Sequence, residues 1–228
     1  FWKKYNLKPY QKYYKEEDNL AWNALNSVIK SRPIILNRAP SLHKHSVQAF
    51  KPLIVDGKAL QLNPLVNKGF NADYDGDTMS IHVPVSNEAV EEAYGMMPSR
   101  ALFKQGDNKL MPELSKDYIF GVHALSKIEK DSGKSFKSID EAKKAKLNWN
   151  DKFKLNGKPM TIGQWGLNSV LPAELKDYSR ELTSKEVGTI FENMAKKDPE
   201  KFTEVINHWK TIGSNYAYKK GHTISIND

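Results

Sequence analysis

The sequence predicts an α+β fold in which a strand-rich segment lies between helical segments. From Ile34 to Val85, short apolar runs are broken repeatedly by proline and glycine, a pattern typical of short strands joined by tight turns. Before it, apolar residues recur at helical spacing between Glu16 and Ile29, and helix-capping residues recur after it. The 228 residues suffice for one or two domains with a substantial core.

The first 32 residues are predicted to be helical. Apolar side chains from Leu20 to Ile29 share one helical face, and Pro33 ends this helix because a residue before proline disfavours the α conformation. Tyrosines and lysines alternate near the N-terminal end, a mixture that suits nucleic-acid binding. Packed tyrosines with lysines on the solvent side explain the same pattern more simply, and we favour that interpretation.

Helices are also predicted directly after the strand-rich segment. Ser86 can cap a helix from about Glu88 to Met96, and residues 113–126 contain a second helix. Residues 127–160 are polar and lysine-rich without a clear period, which predicts a surface excursion.

The C-terminal part returns to helical patterns. Residues 161–172 are apolar, and Ser184 can cap a helix that follows. Asp198-Pro199 is predicted to open another helix, which runs to about Ile212 and is ended by Gly213.

The overall composition favours an anionic partner. The net charge is +8 and the isoelectric point is about 9.3, values that suggest nucleic acid. The chain contains no cysteine, which excludes disulfides and thiolate metal sites. No apolar run approaches the ~20 residues that span a bilayer. The chain begins with Phe1 and has no signal-peptide pattern, so we expect a cytoplasmic protein and a fragment or processed piece.

Three aspartates at alternate positions carry the clearest chemical signal. In an extended backbone, Asp73, Asp75 and Asp77 project to the same side, where their negative charges repel one another. A divalent cation removes that conflict, and ligands made only of oxygen indicate Mg²⁺ or Ca²⁺ rather than zinc. Gly76 allows the loop to tighten with a positive φ.

Two other interpretations of the acidic loop fit the sequence less well. An EF-hand loop counted from Asp73 requires glycine at its sixth position and glutamate at its twelfth, where this chain has Thr78 and Pro84. A solvated acidic loop fits poorly with the apolar flanks, Leu60–Leu62 and Met79–Val83, which are typical of buried strands. The sequence therefore predicts a metal site.

The acidic loop and its surroundings resemble a known family. Asn71–Asp77 is similar to the N-A-D-F-D-G-D signature of the largest (β′-like) subunit of multisubunit DNA-dependent RNA polymerases, and Ile35–His43 resembles that family's L-L-N-R-A-P-T-L-H segment. The resemblance is strong over about residues 33–85 and weak over 127–160. Further similar segments follow in the family's order: Gln48–Pro52, Asp56–Ala59, Gln61–Leu65, His82–Pro84, Lys116–Gly121, Tyr216–Tyr218 and Ile224–Asp228.

The residue pattern predicts the helical and polar segments of the chain, and the resemblance implies the barrel and the pore region, which together give five segments. These are a helical lead-in at 1–32, part of a double-psi β-barrel with the catalytic loop at 33–85, a helical continuation at 86–126, the polar surface excursion at 127–160, and a pore-like, or secondary-channel-like, helical region at 161–228. In the family, other barrel strands precede the lead-in helix. We therefore expect the chain to be active only within a multisubunit assembly.

The resemblance also implies an activity, which is Mg²⁺-dependent nucleotidyl transfer from an NTP to the RNA 3′ end during DNA-templated transcription. Asp73, Asp75 and Asp77 are expected to ligate one Mg²⁺, and a second Mg²⁺ arrives with the nucleotide. Arg38 and Asn71 match positions that bind the ribose of the incoming nucleotide. His43 is interpreted as a packed histidine without a chemical role.

The expected partners are a β-like subunit, the remaining β′ segments, the DNA template, the RNA product and NTPs. No association with a membrane is expected. Thr78 stands where the bacterial family usually has Gln, and Lys44 where it has Arg. These departures suggest a divergent polymerase. One interpretation is a viral enzyme in the cytoplasm of an infected host, with its large subunit divided among several chains. The alternatives are an RNA-dependent polymerase of the silencing type, which has a related barrel, and a non-catalytic nucleic-acid-binding or assembly fragment.

Overall fold

The computed structural model describes residues 18–221 apart from 56, 105 and 107. It contains helices and two small sheets, which confirms the α+β expectation. The chain divides into two compact units between Ala101 and Leu102. The tyrosine- and lysine-rich start and the segment Ile224–Asp228 lie outside the described residues. Within them, no helix is both long and apolar enough to cross a membrane.

The first unit is built on a three-stranded antiparallel sheet in the order β2-β1-β3. Its helix α1 ends directly before Arg32-Pro33, as the proline predicted. The strands and helices of this unit are α1 (Asp18–Ser31), β1 (Ile34–Asn37), β2 (Val47–Phe50), α2 (Asn67–Phe70), β3 (Ser80–His82) and α3 (Asn87–Gly95), with single 3₁₀ turns at Lys44–Ser46 and Pro64–Val66.

A small apolar core lies between this sheet and α2. Leu36 from β1 and Phe70 from α2 are buried together with Val66, and Phe50 stacks on Phe70 with ring centroids 6.1 Å apart. Ala72 and Met79, at the two ends of the acidic loop, pack against the same core. The loop is therefore held at both ends by apolar contacts.

The prediction that buried strands flank the acidic loop was wrong for most of these residues. Leu60 lies outside the strands and is 46% exposed, and all three residues of β3 are exposed.

The second unit combines a three-stranded sheet with a helical layer. Strand β4 pairs parallel to β5, and β5 pairs antiparallel to β6. Trp209, Phe191 and Phe202 form an aromatic cluster between α7 and α8. The elements are α4 (Asp117–Ser126), β4 (Lys130–Phe136), α5 (Ile139–Lys144), β5 (Asp151–Leu155), β6 (Lys158–Met160), α6 (Ile162–Asn168), a 3₁₀ turn (Ala173–Leu175), α7 (Ser184–Lys197) and α8 (Pro199–Lys220).

Helix and strands occupy much of residues 127–160, where the sequence showed no clear period and predicted only a surface excursion. The strands and α5 enclose a core of Ala142, Phe153, Met160 and Ile162. These apolar residues are spaced too widely to show a period, because each short element contributes only one or two of them. The remaining positions are mostly polar and exposed, which is why the stretch resembled a loop.

The predicted helix starts are correct or shifted by one residue. Ser86 accepts a hydrogen bond from the Ala89 amide at 3.2 Å and caps α3, as predicted. Asp198 caps α8 by accepting from the Lys201 amide at 2.9 Å. The cap of α7 is Thr183 rather than Ser184, because Thr183 forms a reciprocal capping box with Glu186.

The prediction that Gly213 ends the last helix was wrong, since α8 continues to Lys220. A Cβ atom at Gly213 would lie 2.6 Å from the Tyr118 carbonyl oxygen, and one at Gly121 would lie 1.9 Å from the Gly213 carbonyl oxygen. The two glycines thus allow the backbones of α4 and α8 to touch. A glycine inside a helix can signal close packing as well as termination, and sequence alone does not separate the two.

Replacing Gly213 with alanine should destabilise the protein by about 1–3 kcal/mol, because the added methyl group must displace backbone atoms. Gly188 is the matched control, since it also lies within a helix, and a methyl group added there would meet no described atom within 4 Å outside its own helical turns. Gly188→Ala should stabilise by up to about 1 kcal/mol through helix propensity. Urea unfolding of both variants measures the difference. Equal effects of the two substitutions would contradict the packing role.

Candidate metal centre

The acidic loop begins where α2 ends. Asn71 adopts the left-handed conformation, with φ 49° and ψ 42°, and its amide approaches the carbonyl oxygens of Asn67 and Lys68. The Ala72 amide donates to the Asn67 carbonyl oxygen at 3.0 Å. Asparagine tolerates this conformation better than most residues. The helix end therefore directs the chain outward at a fixed angle, directly before the first aspartate.

The structure brings the three predicted carboxylates together. Oxygen atoms of Asp73, Asp75 and Asp77 lie within 4.8 Å of one another, and all three residues are exposed. The Asp73 amide donates to Oδ2 of Asp77 at 3.0 Å, which folds the loop back on itself. Gly76 has a φ of +122°, a conformation that side-chain-bearing residues rarely adopt. Within the described residues, no other group of three metal-ligating side chains comes this close.

The carboxylates experience opposite electrostatic environments. The pKa of Asp75 is raised above its ordinary value, mainly by a hydrogen bond with Asp73 and to a smaller extent by repulsion from the Asp73 charge. A hydrogen bond from Arg38 lowers the pKa of Asp77. The protein thus compensates one carboxylate directly and leaves the other two in mutual repulsion, which a divalent cation would relieve.

Arg38 joins the site from the end of β1. Its Nε donates to Oδ2 of Asp77 at 2.7 Å, and its Nη2 donates to Oδ1 at 3.0 Å. This bidentate pair fixes the plane of the Asp77 carboxylate. A guanidinium has five N–H donors, so three remain after this pairing. The sequence predicted Arg38 as a substrate-binding residue and did not reveal its contact with Asp77.

Asn71, the other predicted substrate-binding residue, has an exposed side chain. Its backbone also serves as the C-terminal cap of α2. The sequence reasoning missed this structural role, although asparagine directly after a helix is a known signal for a left-handed cap.

Tyr74 is a further residue that sequence reasoning missed. Its hydroxyl lies 3.3 Å from the Leu62 carbonyl oxygen and 3.1 Å from Oδ1 of Asn67. Both contacts tie the tip of the acidic loop to the segment around α2. The only sequence signal was an aromatic residue between two of the acids, where a solvated loop would favour a small polar one.

The donor set fits a hard divalent cation. Carboxylate oxygens are ligands of Mg²⁺ and Ca²⁺, and the described residues offer neither thiolate nor clustered imidazole here. The exposure of the loop leaves room for water or phosphate oxygens, which suits Mg²⁺ because it sheds water reluctantly.

Comparison with known proteins gives a consistent match. The family described as RNA polymerase Rpb1, domain 2, matches residues 3–99. The chain is 34% identical over 244 residues to the DNA-directed RNA polymerase subunit beta' of Acidothermus cellulolyticus, covering 92% of this chain and 19% of that subunit. It is 34% identical over 240 residues to the Treponema pallidum subunit, with 98% and 17% covered. For the Thermotoga petrophila subunit, identity is 36% over 230 residues, with 91% and 14% covered. The chain thus spans less than a fifth of the length of these relatives.

Removal of one carboxylate should weaken binding of a divalent cation by the chain. Asp75→Asn is expected to reduce Mn²⁺ affinity about tenfold or more, since one unit charge at ~4 Å contributes roughly 1–4 kcal/mol in a solvated site. Glu91→Gln is the matched control, because Glu91 is an exposed acid on α3. Paramagnetic relaxation of water protons during a Mn²⁺ titration measures both affinities. Equal Mn²⁺ affinities of the two variants would show that the acidic loop is not the binding site.

Proposed function

Since this chain belongs to the β′-like subunits of RNA polymerase, we propose that it carries part of the catalytic centre of a DNA-directed RNA polymerase. In this proposal, the assembled enzyme transfers a nucleotide from an NTP to the 3′ end of RNA on a DNA template. One observation carries it, namely the convergence of Asp73, Asp75 and Asp77 on a loop fixed at both ends by the core.

The acidic loop is proposed to hold Mg²⁺ through the three aspartates, with a second Mg²⁺ arriving with the nucleotide. When bound, Mg²⁺ neutralises the charge that develops on phosphate oxygens and favours the ionised form of an attacking hydroxyl. The chain's own contribution is geometric. Ala72 and Met79 hold the two ends of the loop against the core, and the Tyr74 hydroxyl ties its tip to the segment around α2 by hydrogen bonds. The bidentate contact with Arg38 keeps the Asp77 carboxylate in one orientation. No aspartate is required to act as a general base.

Arg38 and Asn71 are proposed to bind the ribose of the incoming nucleotide. The three N–H donors that Arg38 does not use on Asp77 can bond sugar hydroxyls, and the Asn71 amide can both donate and accept. Arg38 then links the sugar to an aspartate of the metal site through a single rigid group. That link makes sugar recognition and metal geometry interdependent.

The sheet β2-β1-β3 is proposed to form part of a double-psi β-barrel, and residues 161–228 part of a pore region. The short antiparallel strands on either side of the catalytic loop support the barrel assignment. The proposed partners are a β-like subunit, further β′ segments, the DNA template, RNA and NTPs. The net charge of +8 supports partners that carry phosphate.

In the assembled enzyme, Asp75→Asn should reduce nucleotide addition at least about a thousandfold, because metal-ion catalysis supplies several kcal/mol of barrier lowering. Subunit assembly should remain intact, since Asp75 is exposed and the apolar anchors of the loop are unchanged. Single-nucleotide extension of an RNA primer measures the rate, with Glu91→Gln as the control. Near-normal extension by Asp75→Asn at ordinary Mg²⁺ concentration would refute the catalytic assignment.

Sugar discrimination should fall in Arg38→Lys and in Asn71→Gly. Lysine keeps the charge but loses the planar fork, while glycine removes the amide and still permits the left-handed cap. Loss of hydrogen bonds to a 2′-hydroxyl should lower the preference for an NTP over its 2′-deoxy analogue about tenfold or more. Incorporation of the two substrates, measured across a Mg²⁺ titration, separates sugar recognition from metal binding. If both variants slow the two substrates equally at saturating Mg²⁺, neither residue recognises the sugar.

A further inference from the structure

The second unit contains an open cavity of about 390 Å³ between α8 and Trp149. This volume lies within the range of small-molecule sites. One face of α8 supplies most of its wall, with residues that recur at helical spacing. The lining residues are Trp149, His208, Thr211, Ile212, Asn215, Tyr216 and Lys219.

Two aromatic rings form the apolar part of the cavity. The centroids of Trp149 and Tyr216 lie 6.1 Å apart with planes inclined by 45°. Trp149 remains 36% exposed, although its neighbour Asn150 is almost completely buried. An exposed tryptophan in a concave site presents a large flat surface, which a planar ring can cover by stacking.

Hydrogen bonds fix the Tyr216 ring and the backbone that carries Trp149. Buried Asn150 donates from Nδ2 to the carbonyl oxygens of Ala124 and Lys127, at 2.6 and 2.8 Å, and its Oδ1 accepts from the Tyr216 hydroxyl. The Trp149 carbonyl oxygen accepts from the Gly163 amide at 2.9 Å. A tyrosine ring fixed in this way loses little conformational entropy when a ligand stacks on it.

The polar part of the cavity favours an anion. Lys219 Nζ lies 5.9 Å from the Trp149 ring centroid, whereas Lys220, which pairs with Glu129, is not part of the lining. The described lining includes no acidic side chain. His208 Nε2 lies 3.1 Å from the Gly166 carbonyl oxygen, so it carries the proton in this hydrogen bond and leaves Nδ1 as an acceptor in the neutral ring.

We propose that this cavity binds a nucleobase that carries a phosphate, with the base against Trp149 and Tyr216 and the phosphate at Lys219. Stacking accepts any base because each has a π face, and the lysine supplies the charge that phosphate requires. The same chemistry is present in a free nucleotide and at the end of a single strand. The site does not depend on the acidic loop, which belongs to the first unit.

The test uses the full chain with Asp73, Asp75 and Asp77 all changed to Asn, in EDTA, so that any binding is independent of the proposed metal centre. Calorimetric titration with ATP should still detect binding. Trp149→Ala should weaken it about fivefold to a hundredfold, the effect of losing one base–aromatic stack. Lys219→Gln should weaken it at least about threefold, which is a typical loss for one exposed charge contact. Lys197→Gln, an exposed lysine on α7, is the matched control and should have no effect.

Three further comparisons make the outcome decisive. Trp149→Phe retains an aromatic face and should restore most of the affinity lost in Trp149→Ala, which separates stacking from misfolding. Inorganic triphosphate should bind more weakly than ATP, because it has no base. A short oligoadenylate that binds more tightly than ATP identifies a strand end as the ligand, whereas tighter ATP binding identifies the free nucleotide. Absence of ATP binding, equal affinity for triphosphate and ATP, or equal affinities of Lys219→Gln and Lys197→Gln would overturn the proposal.

Discussion

Repulsion among three carboxylates that lie within 4.8 Å of one another is the constraint that the structure around the acidic loop must overcome. Exposed acids normally separate to reduce such repulsion, so a fold that gathers them must fix the backbone by other means. Here the means are the left-handed turn at Asn71, the positive φ of Gly76, and apolar anchors at Ala72 and Met79. The loop backbone is therefore fixed independently of any ion, which lowers the conformational cost of binding the cation that we propose for this site.

Arg38 connects this constraint to the sheet. Residue 38 follows β1, and β1 pairs with β3 shortly after the acidic loop, so the register of these strands places the guanidinium beside Asp77. The partly exposed pair contributes modestly to stability, as solvent-accessible pairs usually do. Its main effect is orientation, because a bidentate fork fixes a carboxylate plane that a single hydrogen bond leaves free to rotate. Arg38 and Asp77, which are far apart in the sequence, thereby determine the orientation of the Asp77 carboxylate together.

The features that the sequence predicted well are local. Asp73, Asp75 and Asp77 fall within one loop, and the Ser86 and Asp198 caps act within one turn, so neighbouring positions alone indicate that the carboxylates converge and where the two helices begin. The features it did not predict depend on distant contacts. Asp77 meets Arg38 only through strand pairing, Gly213 is required only because α4 crosses α8, and the second unit's cavity joins Trp149 to a helix some sixty residues later. The strands within residues 127–160 produced no periodic apolar pattern in the sequence, because the few core residues come from separate short elements.

The most direct test of the central claim is a crystal structure of the assembled enzyme soaked with Mn²⁺, with anomalous scattering recorded at the manganese edge. We expect an anomalous peak in coordination contact with oxygens of Asp73, Asp75 and Asp77, with Arg38 still beside Asp77. An ordered acidic loop without such a peak, together with a Mn²⁺ peak at other ligands in the catalytic centre, would contradict the assignment of the three aspartates as the metal site.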